Sequence, residues 1–444
     1  MTRLSTLHPY PAMIADDLAV ALSSKFIKPG MRVLDPFCGT GRTLLAAAEQ
    51  GATCVGIDIN PLAVIVTRAK IANISLVRLE RLSLEMTCGT LRGVAGAQLD
   101  LEPGRKVKWF SRRSKEELCE IIGWLKTKPL RKDDRLLLAA ILSATAREAS
   151  YCRQDQWKLH RIQARKRSTL KRSPWAIFAR RCKSAVEELA KLPNLRGTCS
   201  VLQGDALDLQ RVLTSSDNFT DFDLVITSPP YGDSHTTVGY GGISGICLGV
   251  IQHLELRGIS FENRCSIDRL CLGGTLNDSA ELDFSPYSPY WHGGSKNPAR
   301  NRVYRFLFDI EKSCEQIAKA LRPGGRVILV VARRTVSGYR VYLDLFLESI
   351  MLKFGFVLQE SYSRAIARKN TPFLVDRSGR KLSKNSAKNR VVTMRTEYVL
   401  VFRHAARFED EHERSISHSI EGMSGLRVMK NSSANPSKKR KRGR

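Results

Sequence analysis

The residues best suited to chemistry form a short loop at positions 227–231 (TSPPY), directly after an apolar run. Its two prolines, Pro229 and Pro230, fix the backbone and lack N–H donors, so neighbouring carbonyl groups stay free to face a cavity. Ser228 adds a hydroxyl acceptor, and Tyr231 adds a flat face for stacking. This combination suits a planar ring bearing an amino group, such as a nucleobase outside its helix, whose nitrogen two acceptors could draw towards sp³ geometry. Taken alone, the motif also fits a rigid loop with no chemical role.

A second loop, residues 35–41 (DPFCGTG), carries glycines where a ligand could approach the backbone. It joins a predicted strand at 31–37 to a predicted helix at 43–50, whose N-terminus would supply N–H donors. Asp58 ends the next predicted strand, where a carboxylate can accept hydrogen bonds from ribose hydroxyls. Because the acid at the start of the loop suits a cationic ligand better than a pyrophosphate, the pattern predicts S-adenosylmethionine rather than NAD. An ordinary strand-to-helix turn with a capping acid is the alternative.

The elements that position these loops are alternating strands and helices. After a strand at 53–59, Asn60 and Pro61 suit the cap and first turn of a helix. Ser114 with Glu117 predicts a capping box for another helix. The remaining predicted elements are strands at 201–206, 222–226, 326–331, 355–361 and 398–402 and a helix at 135–150. The alternation predicts an α/β fold, doubly wound around a mainly parallel sheet, in which both loops share one cleft at the carboxyl ends of the strands.

The pair of loops resembles the signature motifs of the amino-group DNA methyltransferases, which methylate cytosine N4 or adenine N6. Ser228 before Pro-Pro-Tyr is similar to the cytosine-N4 subset. The resemblance implies a Rossmann-like core with a seven-stranded sheet, interrupted by helical and irregular insertions, and S-adenosylmethionine as methyl donor. It also implies direct in-line attack by a flipped base. The sequence has no Pro-Cys dipeptide, so covalent catalysis is not expected.

Further roles follow from the same resemblance. Residues 8–12 (HPYPA) resemble a segment that packs beside the methionine moiety, and residues 56–61 (GIDINP) resemble a ribose-binding turn. Asp205 stands where the family's acid contacts the adenine amino group. Residues 321–326 (LRPGGR) resemble the turn before the fifth strand, and 364–372 (RAIARKNTP) a basic loop near the target base. The implied catalytic residues are Ser228, Pro229, Pro230 and Tyr231, and the implied cofactor-binding residues are His8, Pro9, Tyr10, Asp35, Phe37, Gly39, Gly41, Asp58 and Asp205.

The charge of the chain favours a polyanionic partner, because 72 Lys and Arg against 43 Asp and Glu give a net charge of +29. Acidic membrane surfaces and ribosomes are alternatives to DNA. No acid occurs between Asp155 and Glu187, where basic and aromatic residues interleave; a solvated helix face is the competing interpretation. The predicted DNA-contacting residues are Trp157, Lys158, Arg161, Arg165, Lys166, Arg364 and Lys369. A segment with broken periodicity, 236–300, could also reach base edges through Tyr240, Asn263, Arg264, Trp291 and His292.

Several classes of protein are disfavoured by what the sequence lacks. The 11 Cys and 8 His have no zinc-site spacing, so no metal is expected. There is no signal-peptide pattern and no run of about 18 apolar residues. These features predict a cytoplasmic, nucleoid-associated protein with reduced thiols and no membrane partner.

The predicted organisation has six segments: an N-terminal segment with the cofactor-binding half of the core (1–75), a helical, basic insertion (76–195), core with the catalytic loop (196–235), an insertion that is the candidate for target recognition (236–300), the C-terminal half of the core (301–404) and a disordered basic tail (405–444). The predicted function is site-specific methylation of the cytosine amino group in double-stranded DNA, within a restriction-modification system that includes a restriction endonuclease. Alternatives are adenine-N6 methylation of DNA, guanine-N2 methylation of RNA, and nucleic-acid binding on a degenerate methyltransferase scaffold.

Overall fold

The computed structural model is built around one mixed sheet with helices on both faces. The structure describes residues 4, 6–87, 99–102, 108–155, 159–167, 170, 172–191, 195–214, 221–233, 239–264, 266–274, 283, 285–293, 297, 299–337, 339–366, 374–375, 391–392, 394–405 and 426–428.

The main sheet has eight strands in the order β12-β8-β11-β5-β4-β1-β2-β3. Strands β3, β2, β1, β4 and β5 are parallel, whereas β11 is antiparallel to both β5 and β8. The eight strands are β1 (Arg32–Asp35), β2 (Thr53–Asp58), β3 (Thr198–Gln203), β4 (Phe222–Thr227), β5 (Leu321–Val331), β8 (Phe356–Ala365), β11 (Thr396–His404) and β12 (Leu426–Val428). Two small hairpins are formed by β6 (Arg334–Val336) with β7 (Tyr339–Val341) and by β9 (Leu374–Val375) with β10 (Val391–Val392).

This topology confirms the predicted doubly wound, mainly parallel sheet and its seven strands. The eighth strand, β12, was not expected, because it lies in the segment predicted to be a disordered tail. It pairs antiparallel with β8, and the prediction was wrong for these three residues. A polar segment of this kind carries little local signal for a strand, so the pairing depends on the exposed edge of β8.

Helices cover the two faces of the sheet because adjacent strand residues point to opposite sides. Val33, Leu224 and Ile328 face one cluster of buried residues, and their neighbours Leu34 and Val225 face another. The helices are α1 (Asp16–Phe26), α2 (Arg42–Glu49), α3 (Pro61–Ile71), α4 (Leu76–Thr87), α5 (Arg112–Thr127), α6 (Lys132–Ala149), α7 (Ala164–Arg167), α8 (Pro174–Leu189), α9 (Leu209–Thr214), α10 (Tyr240–Ile251), α11 (Ile267–Leu270), α12 (Arg300–Ala320) and α13 (Leu343–Lys353). Helices α1 and α2 pack on the face of the sheet that carries Val33, and helices α9, α12 and α13 pack on the face that carries Leu34.

A third cluster of buried side chains joins the helical segment to the rest of the chain. Helices α5, α6, α8 and α10 pack together and against α3. Residues 236–300 were expected to be an insertion rather than part of the core, but α10, within them, is buried along most of its length. Its sequence (YGGISGICLGVI) is apolar on all sides and rich in glycine, so it lacks the amphipathic period that marks a surface helix. The division into six segments stays a prediction. Two of these segments, 76–195 and 236–300, contact each other through α6 and α10.

Local signals explain most helix starts, with one correction. The Asn60 side chain accepts a hydrogen bond from Leu62 N–H (3.1 Å), as expected of a cap before Pro61. Helix α5 begins earlier than predicted: Ser111 is its cap and accepts from the N–H of Ser114 at 3.0 Å. The predicted capping box at Ser114 was therefore wrong by one turn, because two serines three residues apart offer the same local signal.

Candidate active site

The two predicted loops lie side by side at the carboxyl edge of the sheet. Their strands, β1 and β4, are parallel neighbours, with Leu34 opposite Val225. At the ends of these strands the Thr227 hydroxyl donates a hydrogen bond of 2.6 Å to the carboxylate of Asp35. The loop at 35–41 and the loop at 227–231 therefore share one cleft edge and are directly bonded to each other.

Asp35 is the centre of this junction. Its carboxylate also accepts hydrogen bonds from the N–H of Phe37 (3.1 Å) and from the hydroxyl of Thr43, on α2. Only 2% of Asp35 is exposed. Burial raises its pKa to about 6, although the three hydrogen-bond donors stabilise the charged form and act in the opposite direction. Through these three hydrogen bonds Asp35 ties β1, α2 and β4 together, and it gives the loop a negative charge.

The glycines of the loop at 35–41 have the conformations that the turn requires. Gly39 and Gly41 have φ angles of +50° and +76°, which residues with a Cβ rarely adopt. A Cβ on Gly41 would lie 2.3 Å from a methyl group of Thr67, whereas a Cβ on Gly39 would meet nothing within 4 Å. The Thr67 hydroxyl donates to the Gly39 carbonyl at 2.8 Å. The turn is therefore packed tightly on the side of Gly41 and open beside Gly39.

Asp58 closes the other side of this loop from the end of β2. One carboxylate oxygen accepts from the N–H of Gly39 (2.9 Å), and the other accepts from the N–H of Asn60 (2.8 Å). Each oxygen keeps a further lone pair, since a carboxylate has about four acceptor sites. Burial, with Asp35 as a secondary cause, raises the pKa of Asp58 to about 6. Neither acid has an ion-pair partner in the described parts of the chain.

The N-terminal segment 8–12 packs against the same region. The Asn60 amide donates to the Tyr10 hydroxyl and to the Ser244 hydroxyl, at 2.9 Å each. The Tyr10 and Tyr240 ring centroids are 6.0 Å apart. Helix α10 therefore covers this segment, and Tyr240 lies beside the predicted cofactor residues rather than on a separate recognition surface. Sequence reasoning had placed Tyr240 among the candidates for base readout, and it missed Ser244 and this second role of Asn60.

His8 and Pro9 are held from the helical segment. The Arg147 guanidinium, on α6, donates to the Pro9 carbonyl at 2.9 Å. His8 is 2% exposed, and burial followed by the charge of Arg147 lowers its pKa to about 3, so the imidazole is neutral at physiological pH. His8 Nε2 is buried without a hydrogen-bond partner among the described residues. An unpaired polar atom in this position fits a ligand contact.

Two further predicted cofactor residues are Asp205 and Phe37. Asp205 follows β3 and accepts from the N–H of Leu207 (2.9 Å), as the cap of a short 3₁₀ helix at Ala206–Asp208. Burial raises the pKa of its carboxyl group. Phe37 is half-buried and packs against the cluster of buried side chains that includes α12 and α13. The carboxyl ends of β1, β2 and β3 therefore bring Asp35, Asp58 and Asp205 to one edge of the sheet.

The catalytic-loop candidates form a hydrogen-bonded chain that crosses three strands. Ser228 Oγ is 3.1 Å from the Val330 carbonyl on β5 and 3.2 Å from the Tyr231 hydroxyl. The Tyr231 hydroxyl donates to Glu397 Oε1, at the start of β11, at 3.3 Å. Burial, followed by the negative charge of Glu397, raises the pKa of Tyr231 well above its usual value, so the phenol stays protonated. Sequence reasoning missed Glu397, which has no local motif to mark it.

Comparisons with known proteins found similar DNA methyltransferases, and the family match includes the loop at 35–41. The model of the N6- and N4-type family described as "DNA methylase" matches residues 5–67. A relative, Type II methyltransferase M.MvaI of Kocuria varians, is 28% identical over 427 residues, covering 89% of this chain and 90% of the relative. The chain is therefore similar to the amino-group DNA methyltransferases over most of its length. This similarity supports S-adenosylmethionine as the methyl donor and DNA as the substrate, as the resemblance implied.

Two other similar proteins add less. Type II methyltransferase M.MjaII of Methanocaldococcus jannaschii is 29% identical over 80 residues, which are 18% of this chain and 15% of the relative. The solved rRNA methyltransferase aviRa of Streptomyces viridochromogenes covers 90% of this chain and 89% of its own length at 13% identity, with a TM-score of 0.31. A TM-score that low carries no argument.

The predicted DNA-contacting residues that the structure describes do not have one common environment. Arg165 and Lys166 are exposed on α7, whereas the guanidinium of Arg161 lies over the Tyr151 ring at 5.6 Å. Arg364 is 11% exposed and forms ion pairs with Asp17 and Glu397. It is therefore linked to Tyr231 through Glu397 and is largely covered by the rest of the chain. Trp157, Lys158 and Lys369 lie outside the described residues.

The residues proposed for base readout in 236–300 do not form one surface. Trp291 is 1% exposed and packs edge-on against Tyr304 (5.8 Å), so its ring cannot reach a base. Asn263 and Arg264 belong to a turn in which Arg264 donates to the Phe261 carbonyl (3.2 Å). The expectation for Trp291 was wrong because an aromatic residue in a polar stretch can still be the centre of a local apolar cluster.

A separate cavity of about 620 Å³ lies between the end of α6 and the start of α8. Arg172 and Arg180 line it, but Arg172 donates to the carbonyls of Glu148 and Ser150, and Arg180 pairs with the Glu148 carboxylate. These basic residues therefore stabilise the junction of the two helices. The cavity does not include residues of the two loops.

No group of His, Cys, Asp and Glu side chains in the described residues could hold a metal ion. Within the same residues, no helix is long and apolar enough to cross a membrane.

Proposed function

We propose that the protein methylates the N4 amino group of cytosine in duplex DNA. The observation that carries this proposal is the environment of Ser228, a neutral hydroxyl at the position of the family's catalytic acid or amide. Both hydrogen-bond partners of this hydroxyl belong to the chain, the Val330 carbonyl and the Tyr231 hydroxyl. A carbonyl can only accept, so Ser228 can donate its proton to Val330, and the oxygen lone pairs then remain for an incoming amino group.

In this proposal the chain binds and orients the amino group. The Ser228 hydroxyl and the Pro229 carbonyl accept its two N–H bonds, which draws the nitrogen lone pair out of conjugation with the ring. Pro230 fixes the backbone between these acceptors and the Tyr231 ring, which stacks on the flipped base. When bound, S-adenosylmethionine would supply an electrophilic methyl group: the nitrogen lone pair forms the new N–C bond as the S–C bond breaks, S-adenosylhomocysteine leaves, and the nitrogen releases one proton. The Pro229 carbonyl also stabilises the positive charge that develops on the nitrogen.

The residues at the adjoining edge fit this cofactor. Two acids, the buried Asp35 and the partly buried Asp58, have no ion-pair partner in the described chain and favour a cationic ligand, and the open space beside Gly39 leaves room for it. We propose that Asp58 binds the ribose hydroxyls and Asp205 the adenine amino group. His8, Pro9 and Tyr10 would contact the methionine moiety, with the orphan Nε2 of His8 as a polar partner. Phe37 and Gly41 would shape the pocket, and Asp35 would add charge while it holds the loops together.

Arg165 and Lys166 would contact DNA phosphates, since both are exposed on a short basic helix. Arg161 would act beside them, and Arg364 near the target base. The relative named a Type II methyltransferase supports a role in site-specific modification, partnered by a restriction endonuclease. A DNA-bound enzyme of this kind would associate with the nucleoid in the cytoplasm. Target recognition by part of 236–300 also remains a proposal.

The decisive experiment identifies the modified base. Plasmid DNA is incubated with the purified protein and S-adenosylmethionine labelled with a deuterated methyl group, digested to nucleosides and separated by mass spectrometry. We expect labelled N4-methylcytosine. Labelled N6-methyladenine would refute the choice of base, and label found only in RNA would refute DNA as substrate.

The matched control is Ser228→Ala, which removes only the hydroxyl. It should bind S-adenosylmethionine with wild-type affinity by calorimetry and lose methyl transfer by about 10²-fold or more. Loss of cofactor binding in this variant would contradict the proposed roles of the two loops. Failure of the wild-type protein to bind the cofactor would favour a degenerate scaffold. Sequencing that detects modified bases in expressing cells would then define the recognised site.

A further inference from the structure

We propose that Glu397 is a positioning residue for methyl transfer, which directs the hydroxyl protons of Tyr231 and Ser228 away from the target amino group. This inference rests on the proposed function of the loop at 227–231. Glu397 lies far from that loop in the sequence, and its place in the cleft comes from β11, which lies beyond β5 in the sheet.

The contacts place Glu397 between the catalytic loop and a fixed cation. Its Oε1 accepts from the Tyr231 hydroxyl at 3.3 Å, and its Oε2 lies 3.7 Å from Arg364 Nε. Glu397 and Arg364 are directly opposite each other on β11 and β8, and their side chains are only 14% and 11% exposed. Arg364 is held from its other side by Asp17 at 3.4 Å. The carboxylate is therefore fixed in position and partly shielded from water.

The direction of each hydrogen bond follows from the chemistry of these groups. A carboxylate accepts and does not donate, so the single proton of Tyr231 points towards Glu397. The contact of 3.2 Å between Tyr231 and Ser228 must then be donated by Ser228, in competition with its 3.1 Å contact to the Val330 carbonyl. In both arrangements the Ser228 proton stays with the chain. The lone pairs of Ser228 are left for the N–H of the base.

In the variant Glu397→Gln, an amide replaces the carboxylate, and the Tyr231 proton is no longer required to point towards residue 397. The NH₂ group of Gln could donate to the Tyr231 oxygen, which would free the Tyr231 proton to turn towards Ser228 Oγ. That proton would occupy a lone pair needed by the substrate. The size and shape of the side chain would be almost unchanged, so the defect should appear in the rate of the chemical step rather than in binding.

The test is a double-mutant cycle on Glu397→Gln and Tyr231→Phe, with single-turnover rates of methyl transfer to an oligonucleotide duplex. Each single variant should be slower by about tenfold, the scale of one hydrogen bond to a charged group. The double variant should also be slower by about tenfold, because Glu397 acts through the Tyr231 hydroxyl. Affinities for S-adenosylmethionine and for the duplex should stay within about twofold of the wild type. Glu360→Gln, on β8 and paired with Lys25, is the matched control and should leave the rate unchanged.

Two results would overturn the inference: a double variant slower by about a hundredfold, which means independent effects, or a Glu397→Gln variant with the wild-type rate. A fall in cofactor or duplex affinity, with the rate at saturation unchanged, would also overturn it, since it indicates a structural role. Transfer to adenine by the wild-type protein would refute only the proposed base and leave the cycle interpretable. No transfer to DNA at all would refute both proposals.

Discussion

Binding of S-adenosylmethionine should become stronger as the pH rises from about 5 to about 7.5. Burial raises the pKa of both Asp35 and Asp58 to about 6 in the cofactor-free protein. The ligand carries an ammonium group with a pKa near 8 and a permanent sulfonium, so it is cationic throughout this range. A cation favours the ionised carboxylates, and its binding therefore releases protons from groups that are protonated at low pH.

The magnitude follows from the two pKa values. With a pKa of about 6, each carboxyl group is about nine-tenths protonated at pH 5 and about one-thirtieth protonated at pH 7.5. Each carboxylate that must be ionised therefore weakens binding about tenfold at the lower pH, or about 1.4 kcal/mol. If both must be ionised, the loss is about a hundredfold. His8 does not contribute, because its pKa of about 3 keeps it neutral across this range.

Calorimetry at several pH values, in buffers with different ionisation enthalpies, measures both the affinity and the protons released. The variant Asp58→Asn should bind more weakly at pH 7.5 and lose about half of the pH dependence on a logarithmic scale. An affinity independent of pH, or an unchanged pH dependence in Asp58→Asn, would refute the reasoning. Weaker binding at low pH would not be the result of acid unfolding driven by these two carboxyl groups. Their raised pKa values mean that the folded state binds more protons than the unfolded state between about pH 4 and pH 6, so their contribution to stability is lost as the pH rises through that range.

Three further perturbations test the junction of the loops and the DNA surface. Thr227→Val removes a donor to the buried Asp35 carboxylate and should lower the free energy of unfolding at pH 7.5 by about 1.5–3 kcal/mol, measured by denaturant titration. Gly41→Ala should cost at least about 1–2 kcal/mol, because the left-handed backbone is strained and the new methyl group has no space. Charge reversal of Arg165 and Lys166 should weaken DNA binding and reduce the slope of log affinity against log salt by about 0.9 for each lost phosphate contact, measured by fluorescence anisotropy.

Each of these changes has a control within the chain. Thr227→Ser keeps the hydroxyl and should restore most of the stability lost in Thr227→Val. Gly324→Ala has a similar φ of +74° but open space around the new Cβ, so it should cost less than the Gly41 variant. Lys28→Glu reverses an exposed charge that precedes the amino end of β1, whereas the loop at 35–41 follows the carboxyl end of this strand. This variant should leave the salt slope unchanged. The corresponding explanation would be contradicted if Thr227→Ser were less stable than Thr227→Val, if Gly324→Ala cost more than Gly41→Ala, or if Lys28→Glu lowered the salt slope more than the change at Arg165 and Lys166.

The sequence predicted the parts of the fold that depend on local patterns. Short apolar runs marked the parallel strands, and Asn60 with Pro61 marked the start of α3. The same local signals failed where two candidates were equivalent, as at Ser111 and Ser114, or where the pattern was uniform, as in α10. The edge strand β12 had no local signal, since only the free edge of β8 gives its residues a partner.

For the candidate site, the sequence alone determined the identity of both loops, because their chemistry depends on residue types next to each other in the chain. The tertiary structure decided how the loops are joined, through Thr227 and Asp35, and which distant residues meet them. Tyr240, Arg364 and Glu397 reach the cleft only because the sheet and α10 bring separate segments together. Contacts of this kind depend on long-range packing, which the order of residues along one chain does not display.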